Sequence, residues 1–241
     1  MTETGKRQGA AGTAVTFELL ALDGSTQMRT VVLTDLVIAG WTGRDAAAVQ
    51  AHVRELEEVG VKPPSSIPVY YRAAVDTLTS APEIEVLGGD SSGEVEAVLF
   101  ADGDDILVAV GSDQTDRKVE AYSIAVSKQV CPKPVSSQAW LYADVTDHWD
   151  SLVLRSYALI DGSRVLYQEG PIANLLHPET LFKRRAGWAG KMPTGTALFG
   201  GTLSAIGGIR AMDRFEMELE DPVLGRRLTH AYDVKQLPVV S

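Results

Sequence analysis

The sequence predicts a β-rich α+β protein, and three features carry that expectation. Short β-branched runs recur along most of the chain, punctuated by Gly, Asp and Ser turns. Helical periodicity of useful length is confined to one early segment and a broken stretch near residue 180. No internal repeat or low-complexity linker interrupts the pattern. A chain of 241 residues can bury one large core beside a small additional portion.

Val15 to Ala21 and Met28 to Ile38 read as a hairpin turned by Asp23-Gly24-Ser25. Gly40-Trp41-Thr42-Gly43 breaks that pattern, and a helix is predicted from Arg44 to Val59. Thr42 is its expected N-cap, with Asp45 three residues on and Gly60 and Pro63-Pro64 as stops. Residues 1–37 are therefore expected as a tail and small hairpin portion, and residues 38–241 as the main domain. Strands are predicted at Glu83 to Leu87, Gly93 to Ala101 and Ile106 to Val110, the last two turned by Ala101-Asp102-Gly103-Asp104. Gln138 to Val145, Ser151 to Ile160 and Arg164 to Gln168 continue the series, with Asp161-Gly162 as a turn. Ile172 to Arg185 reads as one or two helical turns interrupted at Pro178. Thr194 to Phe199, Arg214 to Leu219 and Arg227 to Tyr232 close the chain as strands.

Composition excludes several classes. Hydrophobic residues at 45% and charged residues at 22% describe a globular chain rather than a disordered one. The net charge of −10 argues against a nucleic-acid partner, and Lys183-Arg184-Arg185 is too short a basic run to reverse that. No apolar run reaches the roughly 20 residues of a membrane helix. The first residues lack the apolar stretch of a signal peptide. The lone Cys131 rules out an internal disulfide and fits a reducing cytoplasm.

The chemistry concentrates at Glu94-Val95-Glu96. Alternation along a strand puts both glutamates on one face, about 7 Å apart at Cα. Carboxylates that close repel unless a cation joins them. Asp113 lies at the end of the following strand, where a hairpin can return it to the pair. Three carboxylates make an all-oxygen site suited to Mg²⁺, Mn²⁺ or Ca²⁺. Zinc fits less well, because no His or Cys cluster has ligand spacing. His52 and Glu55 share a face of the predicted helix, where a carboxylate can orient an imidazole as a base. An exposed helix pair is the plainer reading of the same spacing. Lys128 and Lys133 both flank Cys131 and either could face an oxyanion. Cys131 itself has no activating neighbour and reads as a buried thiol. The glycines at Gly200-Gly201 and Gly207-Gly208 lack a phosphate-loop ending and read as turns.

Taken in order, these motifs resemble the fumarylacetoacetate hydrolase family. The resemblance runs through Ala39-Gly40, His52-Val53-Arg54-Glu55, Pro63-Pro64, Tyr71-Arg72 and Glu94-Val95-Glu96. It continues with Gly111 to Arg117, Ser127-Lys128 through Trp140, Asp161-Gly162 to Gln168, and Thr194-Gly195-Thr196. It implies a mixed β-roll with a few short helices, a homodimer, and a divalent ion held by Glu94, Glu96 and Asp113. His52, oriented by Glu55, would activate water or take a proton, and Lys128 would face the oxyanion. Tyr71, Arg72, Arg117, Glu120, Gln168 and Thr196 would bind a small oxo-acid. Hydrolysis of a C–C bond in a β-dicarbonyl compound is the implied reaction. Decarboxylation, lyase or keto–enol isomerase chemistry, or small-molecule binding without catalysis, are the alternatives.

Three departures stand out. Only 16 residues separate Glu96 from Asp113, a shortened connection. Glu120 replaces the family's glutamine and adds a carboxylate, which implies a different substrate. The Thr-Gly-Thr turn lacks the proline that usually follows it.

Overall fold

The computed structural model describes residues 12–58 and 63–240. The chain begins with β1 (Thr13–Leu20), β2 (Thr26–Leu33), β3 (Asp35–Gly40), α1 (Ala46–Glu58) and β4 (Val69–Ala73). Next come β5 (Leu78–Thr79), β6 (Glu83–Leu87), β7 (Ser91–Ser92), β8 (Val95–Asp102), β9 (Asp105–Ser112) and β10 (Thr115–Asp116). Two short helices, α2 (Arg117–Glu120) and α3 (Ile124–Gln129), lead to β11 (Lys133–Pro134) and β12 (Gln138–Leu141). The last part comprises β13 (Val153–Ile160), β14 (Ser163–Pro171), α4 (Pro178–Arg184), β15 (Thr196–Thr202), β16 (Arg214–Asp221) and β17 (Arg226–Leu237).

Two sheets hold most of these strands. The larger runs β2-β1-β12-β9-β8-β15-β3-β4, and the smaller β14-β13-β16-β17-β6. Mixed pairings occur in both: β15 lies parallel to β3 but antiparallel to β8. The large sheet is buried on both faces at its centre, which is why β8 reads as a near-continuous apolar run. Val95, Ala97 and Leu99 face the small sheet, joining Phe215, Leu219 and Tyr232 in one core. Val98 and Phe100 face the other way, into a second core with Phe17 and Leu33. The ring centroids of Phe17 and Phe100 approach to 4.7 Å although two strands separate β1 from β8. The large sheet therefore curls over its own second core, giving the expected β-rich roll.

Several boundaries differ from the sequence expectation. Met28 to Ile38 is two strands, interrupted at Thr34, whose N–H bonds Gly195 O at 2.8 Å. The β1–β2 hairpin forms the outer edge of the large sheet rather than standing apart from it. Thr42 does not cap α1. Asp45 does, its carboxylate accepting from the N–H groups of Ala47 at 2.9 Å and Ala48 at 3.1 Å. α2 and α3, unforeseen in the sequence, are each started by a side-chain cap, Asp116 to Val119 N–H and Ser123 to Val126 N–H. No helix among the described residues is long and apolar enough to cross a membrane.

Candidate metal centre

β8 and β9 form an antiparallel hairpin in register Val95↔Ser112 and Glu96↔Gly111. One step further out, Asp113 N–H bonds Glu94 O at 3.0 Å, so Asp113 sits across from Glu94. Residues of like parity share a face of the ladder. Glu94, Glu96 and Asp113 consequently project together, at the end of the curl. One carboxylate oxygen from each lies within 4.8 Å of the others.

Three cations surround the cluster. Lys128, from α3, places its ammonium on Asp113 Oδ2 and 3.4 Å from Glu94 Oε2. Arg117, at the start of α2, is spread over three partners: Nη2 to Glu94 at 2.8 Å, Nη1 to Glu120 at 2.9 Å and Nε to Ser92 Oγ at 2.6 Å. Lys133 is fully buried, with Nζ 2.7 Å from Gln114 O and 3.1 Å from Cys131 O. The same Nζ lies 3.2 Å from Asp113 Oδ1, but without hydrogen-bond alignment, and that oxygen has no hydrogen-bond partner. Glu96 accepts from Gly201 N–H at 2.7 Å. Gly201 can approach because it has no side chain: a Cβ there would fall 1.8 Å from Thr42 Oγ1, and its φ of +101° disfavours other residues.

The electrostatics divide the two glutamates. Burial opposes ionisation of Glu94, but Lys128 and then Arg117 outweigh it and hold the carboxyl at about 2. Glu96 is pushed well above the usual carboxylate range, first by burial and then by Asp113 and Glu94. Burial works against the charge on Lys128, yet Asp113 and Glu94 raise its affinity for the proton above that of a free lysine. For Lys133 burial wins, and its proton is held less tightly than usual.

These residues fit a hard divalent ion. The donors are all carboxylate oxygens, Asp113 Oδ1 is buried without a hydrogen bond, and the favourable charge of Lys128 on Glu96 is outweighed by burial, Asp113 and Glu94. A dication would supply the balance.

The remaining sequence-derived residues divide into those near this centre and those away from it. Tyr71 is near: Lys128 Nζ stands 5.9 Å from its ring centroid. Gln168 is also near, accepting from Val95 N–H at 3.0 Å and donating to Thr202 Oγ1 at 2.8 Å. Glu120 reaches it through Arg117. Arg72, on the opposite face of β4 from Tyr71, is paired with Asp35 and half exposed, so it is not brought to the carboxylates. Thr196 is likewise not brought to the carboxylates. It pairs with Asp35 of β3, six residues along β15 from Thr202, which is the residue registered against Glu96. Gly201, read from sequence as part of a turn, and Thr202 are the part of β15 that touches the centre. α1 carries His52 and Glu55 in its backbone, but both side chains lie outside the described residues. Lys128 and Lys133 are both placed beside Asp113, one near each carboxylate oxygen. Cys131 is buried, and burial raises its thiol to about 11, as an inert structural group requires.

A cavity of about 200 Å³ opens beside Glu94, walled in part by Arg117, Gln168 and Thr202.

Comparison with known proteins agrees with this architecture. No curated protein sequence matches the chain. Among solved structures, a candidate fumarylpyruvate hydrolase from Burkholderia cenocepacia superposes with a TM-score of 0.63 at 17% identity, over 99% of this chain and 97% of that one. A candidate fumarylacetoacetate isomerase/hydrolase from Oleispira antarctica gives 0.62 at 16%, over 90% and 98%. A 2-keto-3-deoxy-D-arabinonate dehydratase gives 0.57 at 14%, over 87% and 77%. The fold implied by the sequence motifs is thus the fold observed. Residues 39–232 match the family described as protein of unknown function (DUF2848). The chain belongs to that family, and it is built on the fold shared with the fumarylacetoacetate hydrolase proteins.

Proposed function

We propose that this protein is a divalent-metal-dependent hydrolase that cleaves a C–C bond in a small acylpyruvate-like oxo-acid. The observation that carries the proposal is the convergence of three carboxylates within 4.8 Å, beside a protonated lysine and a cavity of substrate size. Mg²⁺ or Mn²⁺, when bound by Glu94, Glu96 and Asp113, would act as a Lewis acid on the oxygens of a 1,3-dicarbonyl acid.

The protein's own groups divide the remaining work. Lys128 keeps its proton, so it serves as a hydrogen-bond donor to an oxygen gaining negative charge and not as a base. Gly201 N–H orients Glu96, and Gln168 ties β14 to β8 and β15, holding the cavity wall rigid. His52 with Glu55 is the base we assign to water, on the sequence pattern alone. The reaction adds one water across the C–C bond, releasing a carboxylic acid and pyruvate from an acylpyruvate. A homodimer in the cytoplasm is the setting we assign.

A dehydratase shares this fold, and it favours a second reading in which the same residues stabilise an enolate without attack by water. Product analysis separates the two. Purified protein with Mn²⁺ and a series of acylpyruvates should yield pyruvate plus the matching carboxylic acid, and Glu96→Gln should not. Release of CO₂ or of water without fragmentation would replace hydrolysis with the second reading. Absence of turnover together with absence of metal binding would remove both.

A further inference from the structure

We infer that the cavity beside the carboxylates selects an oxo-acid with a single negative charge and an uncharged tail, and excludes a second carboxylate. The inference rests on the function proposed above and concerns the far end of its substrate.

Charge counting around the carboxylate centre, which meets the cavity at Glu94 and Arg117, is the first support. Four carboxylates (Glu94, Glu96, Asp113 and Glu120) face three cations (Arg117, Lys128 and Lys133). With all ionised, the balance is −1, and a divalent ion makes it +1. One carboxylate on the substrate neutralises that balance, whereas a second leaves an excess negative charge.

None of these cations is spare. Arg117 is shared between Glu94 and Glu120, with its Nε on Ser92. Lys128 is committed to Asp113 and Glu94, and Lys133 is fully buried behind Asp113. Glu120 is the deciding residue, because a neutral side chain at that position would leave Arg117 with charge to offer an anion.

The cavity wall is the second support. Beyond Thr202 it continues through Leu203, Ser204, Ala205 and Ile209, facing Tyr167. A second carboxylate at that surface would meet the Ser204 hydroxyl but no uncommitted cation of the lining, since Arg117 is already paired with Glu94 and Glu120. Arg210 follows on the same segment but outside the cavity lining: its Nη2 donates to Ile206 O at 2.9 Å, its guanidinium rests 5.7 Å from the Tyr167 ring centroid, and its Nε, though without a hydrogen-bond partner, is buried. The volume of about 200 Å³ corresponds to roughly six or seven waters, room for a short acid.

The test is a binding measurement that needs no turnover. Calorimetry of the full chain with Mn²⁺ should find 2-oxopentanoate bound at least about ten-fold more tightly than 2-oxoglutarate, which has the same chain length and one more carboxylate. Ile209→Lys, at an exposed position of the lining, should raise the 2-oxoglutarate affinity and collapse that ratio. Glu120→Gln should narrow it several-fold. Equal or tighter binding of 2-oxoglutarate by the wild type would overturn the inference while leaving the proposed function standing. So would wild-type 2-oxoglutarate binding that Arg210→Gln selectively abolishes. Failure of both acids to bind would overturn the inference and the functional reading together.

Discussion

The β8–β9 hairpin carries three carboxylates at each end, and the two ends behave as different materials. At the turn, Asp102, Asp104 and Asp105 surround Gly103. Arg29 reaches over from β2 to Asp102 at 2.5 Å and Asp105 at 3.1 Å, and Lys191 pairs with Asp104 at 3.0 Å. The Asp104 side chain is fully exposed, and water screens the whole group. At the open end, Glu96 and Asp113 are buried, and the cations that meet them are buried too. Equal acidity along one hairpin therefore gives a solvated turn at one end and a charged core at the other. What differs is the neighbours: α2, α3 and β15 close over the open end, whereas the turn is met by the side chains of Arg29, Lys191 and Thr194.

The sharpest way to break this contrast is to remove the cation deepest behind the cluster. Lys133→Met should cost about 3 kcal/mol, because it strips Asp113 of one counter-charge and leaves Gln114 O and Cys131 O without a donor. Urea denaturation of wild type and variant measures it, and a loss under 1 kcal/mol would show that the buried ammonium is not structural. Next in size is metal affinity. Asp113→Asn should weaken Mn²⁺ binding at least about 100-fold, close to 2.7 kcal/mol, by calorimetry. Asp102→Asn at the other end should leave that affinity unchanged.

A smaller effect follows from Glu96. Its folded-state carboxyl is held well above the usual range by burial and by its acidic neighbours, so in the ion-free protein it keeps a proton at pH values where a free glutamate has lost it. A divalent ion must displace that proton. Affinity should therefore rise with pH, by up to about ten-fold per unit, until Glu96 is already ionised without the ion. Mn²⁺ titrations in buffers of different ionisation enthalpy count the released proton, and affinity that stays flat with pH above the range where a free glutamate titrates would contradict the assignment. The least effect belongs to the turn. Arg29→Ala should change stability by no more than about 1 kcal/mol, and added salt should erase most of it.

Much of the centre was legible in the chain. Glu94 and Glu96 share a face because strands alternate, and Asp113 returns to them because β8 and β9 are joined by a tight turn. Local geometry suffices for all three. Arg117 and Lys128 carried signals of residue type and order, though α2 and α3 were too short to show periodicity. Each starts on one side-chain cap, Asp116 or Ser123, and that is a weak mark in a sequence. Thr196 and Arg72 lie away from the carboxylates for a related reason. A Thr-Gly-Thr triplet or an aromatic-basic pair does not state which end of a strand, or which face, meets a centre formed elsewhere in the chain.

The sequence by itself determined the strand-rich class, the acidic hairpin and the kind of ion it suits, since alternation, turn residues and carboxylate chemistry are local properties. Only the tertiary structure decided that Gly201 and Thr202 meet Glu96, that Lys133 joins Lys128 on Asp113, and that Glu120 occupies Arg117. Those contacts depend on how a curled sheet brings distant strands and short helices to one end, and no spacing along the chain encodes that closure.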